Sequence, residues 1–442
     1  MKLLALLCLF AVIIAIPVNV MLPLDLVNSD GSLKNPSNLK SQLQKLKSVN
    51  TDGVMTDVWW GIVEYQPGKY NWEGYLDLAE MCEEIGLKLQ FVMSFHQCGG
   101  NVGDTVNIPI PSFVRSVAHA EGLLYKDHDG HEDEEYLSLS ADHQAVFPGA
   151  NGQKRTAVQM YSDYMSSLAA AFKQYLASGT LNEIEVGMGP AGELRYPGYQ
   201  QKYWSYPGIG EFQCFDKYLL ADFATAAKAA GHPEWKSPPN DAGNYNSWPS
   251  STSFFQGGYT STYGRFFQTW YSDRLVGHGR DVLKVAKAAF ANAPNSLVVS
   301  GKVSGIHWWY GDASHAAEMT TGYYNTDGHD TYLDISKMMA DLGCDIIFTC
   351  LEMRDGDNNP PYSRPYSLVE QVEYDAKKAG IAFSGENALP INSWYQYQTV
   401  LSQVNNKTKS RSFTMLRLGD DLLNDGQKWG WFQQFLNQMH SI

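Results

Sequence analysis

Long apolar runs are scarce in this chain. Beyond the first residues, no stretch of about 18 consecutive apolar residues occurs, so nothing in the body reads as a membrane span. Cysteine is also sparse, at six in 442 residues. Cys8 lies in the N-terminal apolar run. The remaining five, Cys82, Cys98, Cys214, Cys344 and Cys350, are an odd number without tight spacing. That excludes a disulfide framework, and the lack of any CxxC pair removes the usual zinc signature. Positive charge is in deficit: 33 Lys and Arg face 47 Asp and Glu, for a net charge of −14. With no basic run to reverse this locally, the chain repels phosphate backbones, and no nucleic-acid partner is expected. There is neither a GxGxxG after the first strand nor a Walker loop, which argues against an open nucleotide-binding sheet.

What the chain does have is aromatic surface, with 12 Trp and 26 Tyr. Most such rings belong in a core, but they also make flat platforms on which sugars stack. The N-terminus has its own character. Lys2 precedes an apolar run from Leu3 to Ile16, of signal-peptide length and short for a membrane span. Residues 1–17 are therefore expected to be a cleaved signal peptide, with an uncleaved anchor as the alternative. The mature chain is then expected to be secreted or held in the secretory or lysosomal pathway, without stable membrane association. The glycosylation sequon Asn406-Lys407-Thr408 fits that route.

From Val18 onward, apolar β-rich runs alternate with helical periodicity. Strands are expected at Val18–Leu24, Gly53–Glu64, Lys88–His96, Glu183–Met188, Leu297–Val303, Cys344–Cys350, Ile381–Phe383 and Ser412–Leu418. Helical stretches separate them, among them Asn38–Lys47, Tyr75–Ile85, Val158–Leu176, Phe266–Ala291, Thr331–Leu342, Leu368–Ala379 and Ser393–Val404, and an aromatic helix near Trp429–Met439 closes the chain. Eight strands, each followed by a helix, make a (β/α)8 TIM barrel. No linker or composition break divides it. Residues 18–442 are expected to form one catalytic domain whose long loops at the C-terminal face build a lid or subdomain.

Active sites of such barrels sit at the C-terminal strand ends. After the fourth strand comes Gly187-Met188-Gly189-Pro190-Ala191-Gly192-Glu193-Leu194-Arg195, and after the seventh Ser384-Gly385-Glu386-Asn387-Ala388-Leu389. Each displays a glutamate beside glycines that let the backbone approach a ligand. One such glutamate alone reads as a solvated loop residue. Two at one barrel mouth are what glycoside hydrolysis requires, one to protonate the leaving oxygen and one to activate water or attack. Asp57 and His96 follow the second and third strands, with Asp104 in a glycine-rich stretch from Gly99 that reads as a hinged loop. Lys302, His307, Thr349 and Arg417 stand at later strand ends. The acidic stretch Asp127–Glu135 is the one tempting cation site, and its charge density reads instead as a solvated loop.

Assembled, the stretches Asp57–Gly61, Ser94–Asp104, Gly189–Pro197, Gly301–Trp308, Phe348–Met353 and Gly385–Leu389 resemble the motifs of the β-amylase family, in that family's order. The resemblance covers essentially everything from Val18 to the last helix. It implies an inverting, exo-acting glycosidase that releases β-maltose from non-reducing ends of α-1,4-glucans such as starch and glycogen. By motif, Glu193 would be the general acid and Glu386 the general base. Gly99–Asp104 would be a flexible lid, and Thr349 an inner-loop residue that helps hold the base and the product side. Asp57, His96, Asp104, Lys302, His307, Asn387, Ala388 and Arg417 would contact sugar, and Leu389 would pack between glucose units. The acid would need burial or a nearby like charge to keep its proton; the base would need to be ionised, with Lys302 as its helper. No metal, no cofactor and no appended starch-binding module are expected, and the chain is expected to be a monomer. A non-catalytic glucan-binding or sensor protein on the same fold is the rival reading.

Overall fold

The computed structural model describes residues 15–357 and 362–442. Eight parallel strands close on themselves: β1 (Val18–Met21), β2 (Gly53–Trp59), β3 (Lys88–Ser94), β4 (Leu181–Val186), β5 (Val298–Val303), β6 (Asp345–Phe348), β7 (Phe383–Glu386) and β8 (Phe413–Met415). Each pairs with its chain neighbours, and β1 pairs with β8 through Val18–Phe413, Asn19–Thr414 and Val20–Met415 to seal the barrel. A helix follows every strand, from Pro36–Ser48 after β1 to Gly426–Met439 after β8. This is the expected (β/α)8 architecture.

The alternation along each strand explains where the core lies. On β4, Ile184 and Val186 join the large apolar layer between barrel and helices, while Glu183 and Glu185 occupy the interior. That interior is mostly polar. Gln90, Glu183 and Ser300 are hydrogen-bonded across neighbouring strands, and Ser412 donates to Ser384 at 3.1 Å. Only Met21, Met55 and Val92, with Leu416 packed on them, form an apolar plug.

Several boundaries differ from the sequence reading. The seventh strand runs Phe383–Glu386 rather than Ile381–Phe383, because its inward residues are Ser384 and Glu386 and carry no hydrophobic signal. Gly385 allows this strand to close, since a Cβ there would lie 2.0 Å from Leu351 Cδ2. The second strand stops at Trp59, and Trp60–Val63 forms one helical turn held by the Trp60 indole donating to Glu64 at 2.6 Å. The helix expected over 158–176 breaks at Phe172, whose ring packs against Phe91 and Trp72.

Asp127–Glu135 corrects the sequence reading most sharply. Only its tip, residues 128–130, is a solvated turn. Leu124–Lys126 and Glu132–Leu137 form an antiparallel hairpin, and Asp127, Asp133 and Glu135 are buried. Among the described residues no group of three or more His, Cys, Asp or Glu is placed to hold a metal ion. No described helix is long and apolar enough to cross a membrane.

The expected signal peptide falls mostly outside the described residues. At its end, Ile16 is buried with its N–H bonded to Met439 O, and Pro17 O accepts from Phe413 N.

Candidate active site

Loops 95–156, 187–261 and 304–330, which follow β3, β4 and β5, rise around the C-terminal end of the barrel. They enclose a cavity of about 440 Å³. All twelve residues singled out from sequence line it: Asp57, His96, Asp104, Glu193, Lys302, His307, Thr349, Glu386, Asn387, Ala388, Leu389 and Arg417. Glu386 and Asn387 are fully buried at its floor. Val102, Tyr206 and Leu389, the last 39% exposed, mark its mouth.

Glu386 is the last residue of β7, so its backbone is fixed by the sheet. Lys302 on β5 places its ammonium 3.0 Å from Glu386 Oε2 and 3.5 Å from Glu185 Oε1. The contact with Glu386 is an ion pair rather than an aligned hydrogen bond, and neither Glu386 oxygen has a hydrogen-bond partner among the described residues. Burial opposes the charge on Lys302, but Glu386, Glu185 and Glu193 together hold it above the ordinary lysine value. Burial raises Glu386 above the usual carboxylate range, and Lys302 works against that rise. Glu185 is pushed up to about 8, chiefly by burial, with Lys302 opposing and Glu386 adding to it. Two carboxylates thus share one lysine. A neutral Glu185 leaves the lysine's charge to Glu386.

Glu193 stands on the loop after β4, directly beside Lys302. Leu194 N donates to Lys302 O at 2.8 Å, so the lysine's backbone holds one carboxylate loop while its ammonium meets the other carboxylate. The turn preceding Glu193 is strained: Ala191 has φ +54°, a conformation that costs an L-residue about 1–3 kcal/mol. Its N–H donates to buried Glu135 Oε1 at 2.9 Å, which helps hold the turn. The partner of Glu193 is Arg195, whose Nε donates to Oε2 at 2.8 Å. The sequence reading asks for burial or a like charge around this residue. It is buried, but its nearest partner is a cation. Arg195 in turn packs over the Tyr199 ring at 4.3 Å and donates from Nη2 to Asn101 Oδ1 at 3.0 Å. Asn101 also bonds Glu135 through its side-chain nitrogen. The glycine-rich loop is therefore tied to the guanidinium that holds Glu193.

That loop owes its shape to Asp104. Its Oδ2 accepts the backbone N–H groups of Gly99, Gly100 and Asn101 at 2.8–2.9 Å, while Gly99 and Gly103 supply left-handed φ values of +115° and +90°. Asp57 accepts from Ser94 Oγ at 2.8 Å. His96 meets the Trp59 ring edgewise, and burial lowers it to about 4, against the pull of Asp57 and Asp104. Burial also lowers His307 to about 4, and its Nδ1 bonds Ser363 Oγ at 2.8 Å. Both imidazoles are neutral near pH 7 and suited to hydrogen bonding rather than charge. Thr349 Oγ1 accepts from Gly305 N, joining the loops after β5 and β6. Asn387 uses its amide on the backbone, donating to Leu416 O at 2.7 Å and accepting from Leu416 N at 2.8 Å. Arg417 donates to Leu22 O at 3.0 Å. Ala388 and Leu389 are presented by Glu352, which accepts their N–H groups at 3.1 and 2.7 Å.

Sequence reasoning passed over Glu185, Arg195, Asn101 and Tyr199. Glu185 was detectable, because Glu183-Ile184-Glu185 on a barrel strand must send both carboxylates to one side. Arg195 has no such one-dimensional signal.

The profile of Glycosyl hydrolase family 14 matches residues 19–442. A β-amylase of Glycine max is 46% identical over 441 residues, covering 96% of this chain and 87% of its own length. β-Amylase 5 of Arabidopsis thaliana is 46% identical over 442 residues with the same coverage. The catalytic domain of a Paenibacillus polymyxa β-amylase superposes with a TM-score of 0.81 at 31% identity, covering 96% of this chain and 98% of that one. A match that begins in β1 and ends at the last residue takes in every strand end described above, and the chain belongs to glycosyl hydrolase family 14.

Proposed function

We propose that this chain is a β-amylase: it hydrolyses α-1,4-glucosidic bonds of starch- or glycogen-type glucans from their non-reducing ends and releases β-maltose with inversion. The observation that carries the reading is the pair of carboxylates, Glu193 from the loop after β4 and Glu386 from the end of β7, presented to one cavity on either side of Lys302 in a family 14 chain. Glu193 is the general acid. Arg195 occupies its Oε2, leaving Oε1 to carry the proton to the glycosidic oxygen as the C1–O bond breaks. Glu386 is the general base. It takes a proton from a water that attacks the anomeric carbon from the opposite face, so the new hydroxyl has the β configuration. The carboxylate form it needs is supported by the Lys302 ammonium at 3.0 Å.

The remaining cavity residues bind the sugar. Asp57, His96, His307 and Arg417 offer donors and acceptors to hydroxyls. Ala388 and Leu389 line the path to the mouth, where the half-exposed Leu389 packs against a glucose unit. Gly99–Asp104 acts as a lid that excludes water from the bond being cleaved. Release of a short unit is supported by the contrast between buried floor and exposed mouth, since a chain end that enters can go no further.

The leader remains a proposal, with its cut placed before Ile16, because Ile16 is buried and hydrogen-bonded to the last helix. N-terminal sequencing of the mature protein checks this and the secretory route together. The monomer expected from sequence is checked by sedimentation. For the reaction, NMR of fresh product from maltotetraose is decisive. β-Maltose appearing first supports exo-acting inversion; α-maltose refutes it. Absence of product with glucan binding retained transfers the chain to the non-catalytic glucan-binding reading.

A further inference from the structure

Eight large apolar side chains are exposed among the described residues, and they are not scattered evenly. Val102, Tyr206 and Leu389 stand at the cavity mouth. Trp248 and Tyr362 lie just outside it, in ring contact with Trp309 at centroid distances of 5.3 and 6.1 Å. Trp248 is the one tryptophan in that exposed set, at 49%.

The ground beneath these rings is built, not incidental. The turn carrying Tyr206 offers its carbonyls to three indoles: Trp204 and Trp308 donate to Gly208 O at 2.7 and 3.0 Å, and Trp309 donates to Pro207 O at 2.7 Å. The segment bearing Trp248 is stitched to the same turn, with Ile209 N donating to Ser247 O at 3.0 Å and Ser205 N to Asn246 Oδ1 at 2.8 Å. Trp308 and Tyr206 in turn contact His307, which lines the cavity. Two exposed rings, Tyr206 at the mouth and Trp248 outside it, therefore stand on one hydrogen-bonded support, with the buried Trp309 against Trp248. Trp248 meets Trp309 edge to face at an interplanar angle of 63°, and about half of its surface stays open to solvent.

An exposed indole on a rigid support costs apolar surface in water and is retained where something covers it. A pyranose ring suits it: one face of C–H bonds lies against the π-system while the hydroxyl rim stays hydrated. We propose that Trp248, backed by the buried Trp309 and with Tyr206 between it and the cavity, is a remote platform for the outer part of an α-glucan, holding glucose units that extend beyond the mouth while the chain end is in the cavity. This rests on the β-amylase reading and adds a site to it. The platform discriminates by length, since Trp248 does not line the cavity and a sugar held wholly inside leaves its ring uncovered.

The test compares Trp248→Ala, Trp248→Phe and the parent chain on maltotetraose and on long-chain amylose. Loss of the ring is expected to raise KM for amylose about three- to tenfold, the scale of one aromatic contact. KM for maltotetraose and both kcat values should hold, and Trp248→Phe should recover most of the amylose KM. Equal KM changes on both substrates would place Trp248 in the cavity or in the fold and overturn the platform, and so would no change on either. If the parent hydrolyses neither substrate, the β-amylase reading falls by itself. The platform is then read separately, by native electrophoresis in amylose-containing gel. Retardation of the parent that Trp248→Ala loses sustains it, and equal mobility overturns it.

Discussion

Glu183 and Glu185 stand two residues apart on β4, both inside the barrel, and they live in opposite circumstances. Glu183, toward the N-terminal end, is saturated. It takes both nitrogens of the Arg411 fork at 2.9 and 2.6 Å, an amide N–H from Gln90 at 2.8 Å and a hydroxyl from Ser300 at 2.7 Å. Glu185, one layer nearer the cavity, has no hydrogen-bond partner among the described residues on either oxygen and shares the Lys302 ion pair with Glu386, whose oxygens likewise lack a hydrogen bond there. Identical side chains on one strand thus divide the barrel into a lower layer where polar groups are satisfied and an upper layer where they are left available. Conservative changes in the lower layer should cost stability, and those in the upper layer chemistry.

The largest effect expected from this division is at the top. Glu386→Gln or Glu193→Gln should each lower kcat by at least about 10²–10⁴-fold, the worth of a positioned acid or base. Binding of maltotetraose should survive, because the amide keeps the shape of the side chain. The thermal midpoint of Glu386→Gln should fall less than that of Glu183→Gln, since the substitution takes one carboxylate from the Lys302 ammonium but leaves Glu185 at 3.5 Å to ionise in its place. A variant with near-normal turnover would remove the role assigned to that residue. A variant that lost activity only by unfolding would erase the distinction between the layers.

Glu183→Gln is the complementary case. It leaves the Arg411 guanidinium facing a neutral amide, and breaking a buried pair of this kind costs about 3–5 kcal/mol. Arg411 is partly exposed and keeps Asp345 at 3.4 Å, so the lower end of that range is expected. Urea unfolding measures it. The folded fraction should turn over substrate at the parental rate, because Glu183 does not line the cavity. A kcat that fell with stability unchanged would mean that the lower layer also serves the reaction.

Much of the upper layer was legible in one dimension. Eight strands could be placed because their outward faces are apolar, and the residues after them could then be read as a site. The reading failed wherever the barrel's polar interior erased the hydrophobic signal, as at Ser384 to Glu386, where the strand was ended three residues early. It failed again where charge density was equated with solvation. Asp133 and Glu135 are buried, and Glu135 braces the turn that carries Glu193 through Ala191 N. Arg195 lay in plain view, two residues from Glu193. Its meaning depends on Asn101, 94 positions away, and no local pattern predicts that meeting.

The effect smallest per group is the most general, because it concerns protons rather than any one contact. Burial raises Glu135 and Glu185 to about 8, and Glu211, Glu352, Glu373 and Asp375 to about 7. Between pH 6.5 and 8 these groups hold more protons in the folded chain than in the unfolded one, so raising the pH through that window draws protons off the fold and lowers its stability. His96 and His307, lowered to about 4, have no proton to exchange there in the folded chain and are about half protonated in the unfolded chain at pH 6.5, so they oppose the trend but are outweighed by the six carboxylates. His315 adds to it. Burial opposes its charge, but Glu318 raises it above the ordinary histidine value, and that stability is also lost as the pH rises. Each group contributes a slope of up to about 1.4 kcal/mol per pH unit while it titrates. Unfolding measured at pH 6.5 and pH 8 should therefore show the parent weaker at pH 8, and Glu185→Gln, which is neutral throughout, should narrow the gap. If Glu185→Gln left the gap as wide as in the parent, Glu185 would not hold the extra proton that its burial without hydrogen bonds requires.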